Sequence, residues 1–196
     1  MANGYKLKAK KMTCRLLQHI KHTFDYNPGG ITNVYLLDIR DFKAYRFAEE
    51  GLFDKCYVQS ILTPEPFLEL DAVSESTFSE SHENGIYKQE LTTFVRTLSG
   101  TKLSNLLIAQ SNRYLVAFRT SQGTVFTFGS DGGASLRFSQ ISGQMGETSG
   151  YQIVLSKNSV YPLFEVDASR FNTIPVLGTE SKAMVITEDG KNVILI

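Results

Sequence analysis

Few residues in this chain combine the type and the spacing that chemistry needs. His19, His22 and His82 are its only histidines, and His19 and His22 stand three apart. On a helix those two would share a face and could begin a metal site, but no Cys or carboxylate follows at ligand spacing. Cys14 and Cys56 form no close-spaced motif and read as free thiols filling apolar space. Asp38 and Asp41 flank Arg40. A carboxylate pair can shuttle a proton, yet no positioned partner can be named, and a turn or an ion pair is the commoner role. None of the serines sits in a Gly-x-Ser-x-Gly elbow or beside a recognisable base. The glycine-rich stretch Gly129–Gly133 lacks a following Lys-Ser or Lys-Thr. It also leads into a strand pattern, so the helix N-terminus that would hold a phosphate is missing. The sequence therefore predicts no enzyme, no metal site and no cofactor.

The elements that would have to position any site are strands. From about Asn84 to Asp167, apolar residues recur at alternate positions in Tyr87–Leu98, Arg113–Arg119, Thr124–Phe128, Ala134–Phe138, Tyr151–Leu155 and Val160–Val166. That period sends successive side chains to opposite faces of a pleated strand. Turns are expected at Asn84-Gly85, Ser121-Gln122-Gly123, Asp131-Gly132-Gly133 and Lys157-Asn158-Ser159. Upstream, after the break Pro28-Gly29-Gly30, Ile31–Arg40 reads as a central strand. Ile31, Tyr35, Leu37 and Ile39 are expected on one face of it, Val34 and Leu36 on the other. Tyr45–Phe47, Cys56–Leu62 and Phe67–Leu70 are shorter strands, and Asp71–Glu83 could form a solvent-facing one. One helix interrupts the pattern, with Leu103, Leu106, Leu107 and Gln110 at helical spacing and Thr101 as N-cap. Alternating Phe126, Phe128, Phe138 and Phe164 are expected in an inter-sheet core.

With 196 residues, 42% of them apolar, the chain can bury a substantial core. Its formal net charge is zero, which predicts no bulk attraction to nucleic acid or an anionic membrane and weak repulsion between copies. The charge is unevenly placed. Residues 1–11 form a flexible basic arm with Lys6, Lys8, Lys10 and Lys11, rich in Lys and poor in patterned apolar residues. It could touch phosphates non-specifically or dock on an acidic protein. Residues 65–83 carry Glu65, Glu69, Asp71, Glu75, Glu80 and Glu83 without a Lys or Arg. Such opposite segments can pair within a subunit or between neighbours. After Asp167, an irregular linker leads to a terminal hairpin ending in Val193, Ile194, Leu195 and Ile196, expected to dock on its own domain or on a neighbouring copy. No segment has the apolar length of a membrane helix or a signal peptide. The reading is of a soluble protein made in the cytoplasm.

The order of elements carries a resemblance. Tyr87–Phe94, the helix Leu103–Gln110, the strand Tyr114–Phe118 and the turn-strand Gly123–Gly129 come in sequence. They precede Ser142-Gly143-Gln144-Met145-Gly146, Gly150-Tyr151-Gln152-Ile153-Val154-Leu155 and Tyr161–Val166, and Ile31–Leu37 comes first, after Pro28-Gly29-Gly30. Over residues 12–167 this resembles a family of virion proteins of tailed phages that infect Bacteroidetes, including the crAss-like phages. The resemblance implies a mainly β fold: a tail-tube-like β-sandwich or open barrel with one short packed α-helix. The charge and hydropathy pattern adds two parts outside it, so that the chain divides into a flexible basic arm 1–11, a tail-tube-like β-domain 12–167, and a linker with a C-terminal β-hairpin extension 168–196. The resemblance further implies a structural subunit in the virion, a ring or tube segment of a tail or head-to-tail connector lining a channel for DNA. Its partners would be copies of itself, neighbouring tail or portal rings and passing DNA, with no membrane. Lys6, Lys8, Lys10, Lys11, Glu65, Glu69, Asp71, Glu75, Ile194, Leu195 and Ile196 are then the subunit-contact candidates. The alternative is a carbohydrate- or surface-binding β-sandwich module, whose sign would be exposed Tyr clustered on one sheet face.

Overall fold

Alternating side chains bury one face of a strand only if a second layer covers it, and here a single bent sheet supplies both layers. The computed structural model describes residues 29–47, 57–70, 76–144 and 148–171. The strands are β1 (Ile31–Asp38), β2 (Ala44–Phe47), β3 (Tyr57–Leu62), β4 (Leu68–Leu70), β5 (Thr77–Glu83), β6 (Ile86–Arg96), β7 (Arg113–Thr120), β8 (Val125–Phe128), β9 (Ala134–Ile141), β10 (Gly150–Ser159) and β11 (Phe164–Val166). An α-helix, α1 (Gly100–Gln110), joins β6 to β7, and a helical turn, α2 (Ala168–Phe171), follows β11. The fold is mainly β with one helix of length and an open, unclosed sheet.

The bend lies at β7. Its residues Val116–Arg119 pair with β8, whereas Arg113 and Tyr114 pair with β9. β1 occupies the other edge of β7, and β4 adds to β1. One limb therefore runs β4-β1-β7-β8-β11-β3-β2 and the other β9-β10-β6-β5. The limbs face each other across a core in which Val34, Val116 and Phe128 meet Leu91, Leu136, Ile153 and Leu155. Phe78 of β5 reaches across to Phe118 and Phe128, with ring centroids 4.9 and 5.5 Å apart. The first limb buries its reverse face as well. Val58, Ala117, Val125, Phe164 and Val166 pack there with Tyr35, Tyr45, Phe67 and Phe171.

Several expectations shift in detail. A bulge between Ile31 and Asn33 moves Ile31 to the face of Val34 and Leu36, because one inserted residue reverses the alternation. Phe128 joins the inter-sheet core with Phe126 and Phe138 packed against it, but Phe164 lies in the second core. Ser99, and not Thr101, caps α1: the Lys102 N–H donates to Ser99 Oγ at 3.2 Å. The Tyr151 hydroxyl donates to Ser99 O at 3.0 Å, tying the helix start to β10. No turn forms at Lys157–Ser159, since those residues continue β10 against Gln89–Tyr87. Proline at position 162, which has no N–H to give a ladder, falls before β11. Ala168–Phe171, expected in a linker, is helical, and Phe171 packs on Tyr35 at 4.9 Å. The Asn84-Gly85 turn forms as expected, with φ of 53° and 80°.

Candidate assembly surfaces

The acidic stretch does not form one surface. Glu65 sits in the turn after β3, where its N–H donates to Thr63 Oγ1 at 3.1 Å. Glu69 is exposed on β4 and accepts from Asn33 Nδ2 of β1. Together with Arg119 it faces Tyr35, whose phenol is pushed up by burial first and the Glu69 charge second, against the pull of Arg119. Glu80 and Glu83 belong to β5, at the far end of the other limb. Lys6, Lys8, Lys10, Lys11, Asp71, Glu75, Ile194, Leu195 and Ile196 lie outside the described residues.

Two of these carboxylates already have work within the subunit. Glu80 Oε2 accepts from Gln89 Nε2 at 2.7 Å and from the Leu163 N–H at 2.8 Å, so it clasps the β10–β11 loop to the β5–β6 hairpin. Glu83 pairs with Lys88 across the hairpin, which lowers its carboxyl from the ordinary value. On the neighbouring turn, Asp131 Oδ2 accepts from the Val160 N–H at 3.2 Å, and Lys157 Nζ donates to Asp131 O at 2.6 Å. The same loop is thus held from both sides.

β5 is the end of the sheet, and no strand pairs with its outer edge among the described residues. Every residue of it is exposed except Phe78. Phe78 pairs with Leu91 of the core, so Phe78, Glu80 and His82 point inward and Thr77, Ser79, Ser81 and Glu83 outward. Sequence reading found a solvent-facing strand here but not that its edge would be left unpaired, because hydropathy reports faces and says nothing of edges. Large apolar side chains are also exposed away from this edge: Leu68 on β4, Leu107 and Ile108 on α1, and Val160 beside the β5–β6 hairpin. α1 packs Leu103, Leu106 and Ala109 inward and leaves that second apolar pair uncovered.

Cys14, His19, His22 and Cys56 lie outside the described residues; Asp38 and His82 take structural roles. Arg40 makes a two-pronged bond to Asp38, at 2.9 and 2.6 Å, which holds the Asp38 carboxyl below its usual range. His82 stacks on Tyr87 at 4.5 Å. Thr127 Oγ1 donates to Val116 O and therefore accepts from the Tyr45 hydroxyl at 3.1 Å; burial drives the Tyr45 phenol well above its ordinary value. A cleft on the outward face of the second limb is lined by Thr92, Phe94, Ile141, Thr148 and Gln152. Phe94 there is buried, with its ring over Gly150, and offers no free platform. Tyr114 and Tyr151 are core residues, while Tyr35 and Tyr45 pack into the second core. Tyr57 and Tyr87 are half-buried and Tyr161 is exposed in the β10–β11 loop, so the described tyrosines form no exposed cluster on a sheet face.

No protein family, no curated protein and no solved structure matches this chain.

Proposed function

We propose that this chain is a structural virion protein, a subunit of a ring or tube segment in a phage tail or head-to-tail connector. It catalyses no reaction; its copies surround a channel for DNA. The observation that carries the reading is the open sheet. The two limbs bury a core between them, yet among the described residues the sheet stops at the unpaired edge of β5 and leaves Leu68, Leu107, Ile108 and Val160 in water. Two different surfaces meeting head to tail close into a ring when the rotation per copy divides the circle. Zero net charge removes the long-range repulsion that would oppose close packing of copies. The order of strands, helix and turns that resembles the phage proteins supports the same reading. Neighbouring tail or portal rings are the expected partners, and the virion the expected location.

The test is size and shape. The purified full chain is examined by light scattering and electron microscopy across salt from about 0.05 to 1 M. Rings or stacked rings of a fixed subunit number are expected. A chain that remains monomeric throughout refutes the proposal.

A further inference from the structure

The ends of this sheet are not alike. β2 has four residues and a register shift between Arg46 and Phe47. β4 has three residues and follows Pro64 and Pro66. Short length, bulges and proline are among the devices that stop an edge from recruiting another strand. β5 has none of these three, and its inward-pointing carboxylate, Glu80, is already bonded to Gln89 Nε2 and the Leu163 N–H. The strand pairs without interruption from Thr77↔Thr92 to Glu83↔Ile86 and contains no Pro and no Lys. Among the described residues nothing pairs with its outward edge, which presents a row of backbone groups of the kind on which an extended segment adds as a further strand.

We infer that the segment Tyr5–Lys11 of this chain is the strand that completes the β5 edge. The match is one of charge and period. On the outward face the β5–β6 hairpin carries Glu83 and Glu90 against Lys88 through residue 90, and residues 5–11 carry Lys6, Lys8, Lys10 and Lys11 with no acid. Within the arm, Tyr5, Leu7 and Ala9 alternate with Lys6, Lys8 and Lys10. Three apolar residues are too brief a pattern to mark a strand unaided, but laid along β5 they fall into its register. Tyr5, Leu7 and Ala9 continue the inward face beside Phe78, which is only partly buried. The lysines continue the outward face beside Ser79, Ser81 and Glu83, with Glu90 one strand behind. Reach is no obstacle: residues 12–28 span up to about 55 Å when extended. The edge is completed whether the arm comes from its own chain or from a neighbouring copy, so the inference does not depend on the ring.

The experiment uses the full chain with Cys14→Ser and Cys56→Ser. Ser79→Cys or Ser81→Cys on β5 is combined with a single cysteine scanned through positions 5 to 10, and mild oxidation is read on a non-reducing gel. Cross-strand neighbours on one face lie within disulfide reach, and residues on opposite faces do not. Disulfides are expected from Lys6→Cys, Lys8→Cys or Lys10→Cys and not from Tyr5→Cys, Leu7→Cys or Ala9→Cys. A link within one chain and a link between chains both support the inference. Equal linking at both parities, or none at either, overturns it. Hydrogen exchange provides a second measurement: deleting residues 1–11 is expected to cut protection of the Thr77–Glu83 amides by about tenfold or more, and unchanged protection counts against the added strand. Size is scored separately. Rings without alternating cross-links sink this inference alone, and alternating cross-links in a monomer sink the ring alone.

Discussion

Replacing Gly150 with alanine puts one methyl group against the backbone of β6 at the first residue of β10. A Cβ on Gly150 would lie 2.3 Å from Val95 O, 2.8 Å from Phe94 Cζ and 3.0 Å from Arg96 Cα. The Phe94 ring can turn aside, but the Val95 carbonyl and Arg96 Cα are backbone of the strand that pairs with β10 along its whole length. Relief requires β10 to move by about 1 Å at its first residue, and overpacking of this kind costs about 1–3 kcal/mol. Backbone atoms yield less readily than side chains, so the upper end is expected, about 3 kcal/mol. For a domain of this size that lowers Tm by roughly 10 °C. The sign is diagnostic, because Gly-to-Ala changes at unhindered sites stabilise by about 0.4–1 kcal/mol through the unfolded chain. Gly100 supplies the control. It opens α1, and nothing lies within 4 Å of its added Cβ, so Gly100→Ala is expected to raise Tm slightly. Thermal and urea unfolding of both variants, followed by circular dichroism, decides the matter. If Gly150→Ala is as stable as the parent or more so, the close approach of β10 to β6 is wrong.

Three further outcomes are expected. Tyr45 stays neutral in the folded protein above its ordinary pKa. The stability tied to it is therefore complete below about pH 10 and is lost as pH rises beyond that value, where only the unfolded chain ionises. Tyr45→Phe should flatten the alkaline fall in urea-unfolding midpoints, and an unaltered fall would contradict the buried phenol. Asp38 shows the opposite sign, since its folded pKa is depressed by Arg40. Its contribution is present above about pH 4 and disappears as pH drops through the lowered value, so the stability gap between the parent and Asp38→Asn should close in acid; a constant gap would speak against the ion pair. Finally, replacing Lys6, Lys8, Lys10 and Lys11 with serine should remove most of the salt sensitivity of assembly measured by light scattering, and full salt sensitivity in that variant would deny the arm any electrostatic role.

Much of this fold was legible because one physical rule dominates it. β6, β7, β9 and β10 alternate in hydropathy and are buried on alternate or both faces, so period alone located them. The turns at Asn84-Gly85 and Asp131–Gly133 followed from residues that accept positive φ, as observed at Asn84, Gly85, Gly132 and Gly133. The sequence by itself also determined the uneven charge and the helix, whose Leu103, Leu106 and Ala109 turn inward. Tertiary structure decided the rest, because the deciding contacts are distant along the chain. The bulge at Ile31 depends on the partner β7, and Phe164 sits in the second core because β11 pairs with β8 and β3. The stretch 65–83, one block of charge in the sequence, is divided between two limbs because β4 pairs with β1 while β5 pairs with β6. Composition records what a segment carries. Which neighbour it bonds to, and which edge is left without one, depends on how the sheet bends at β7.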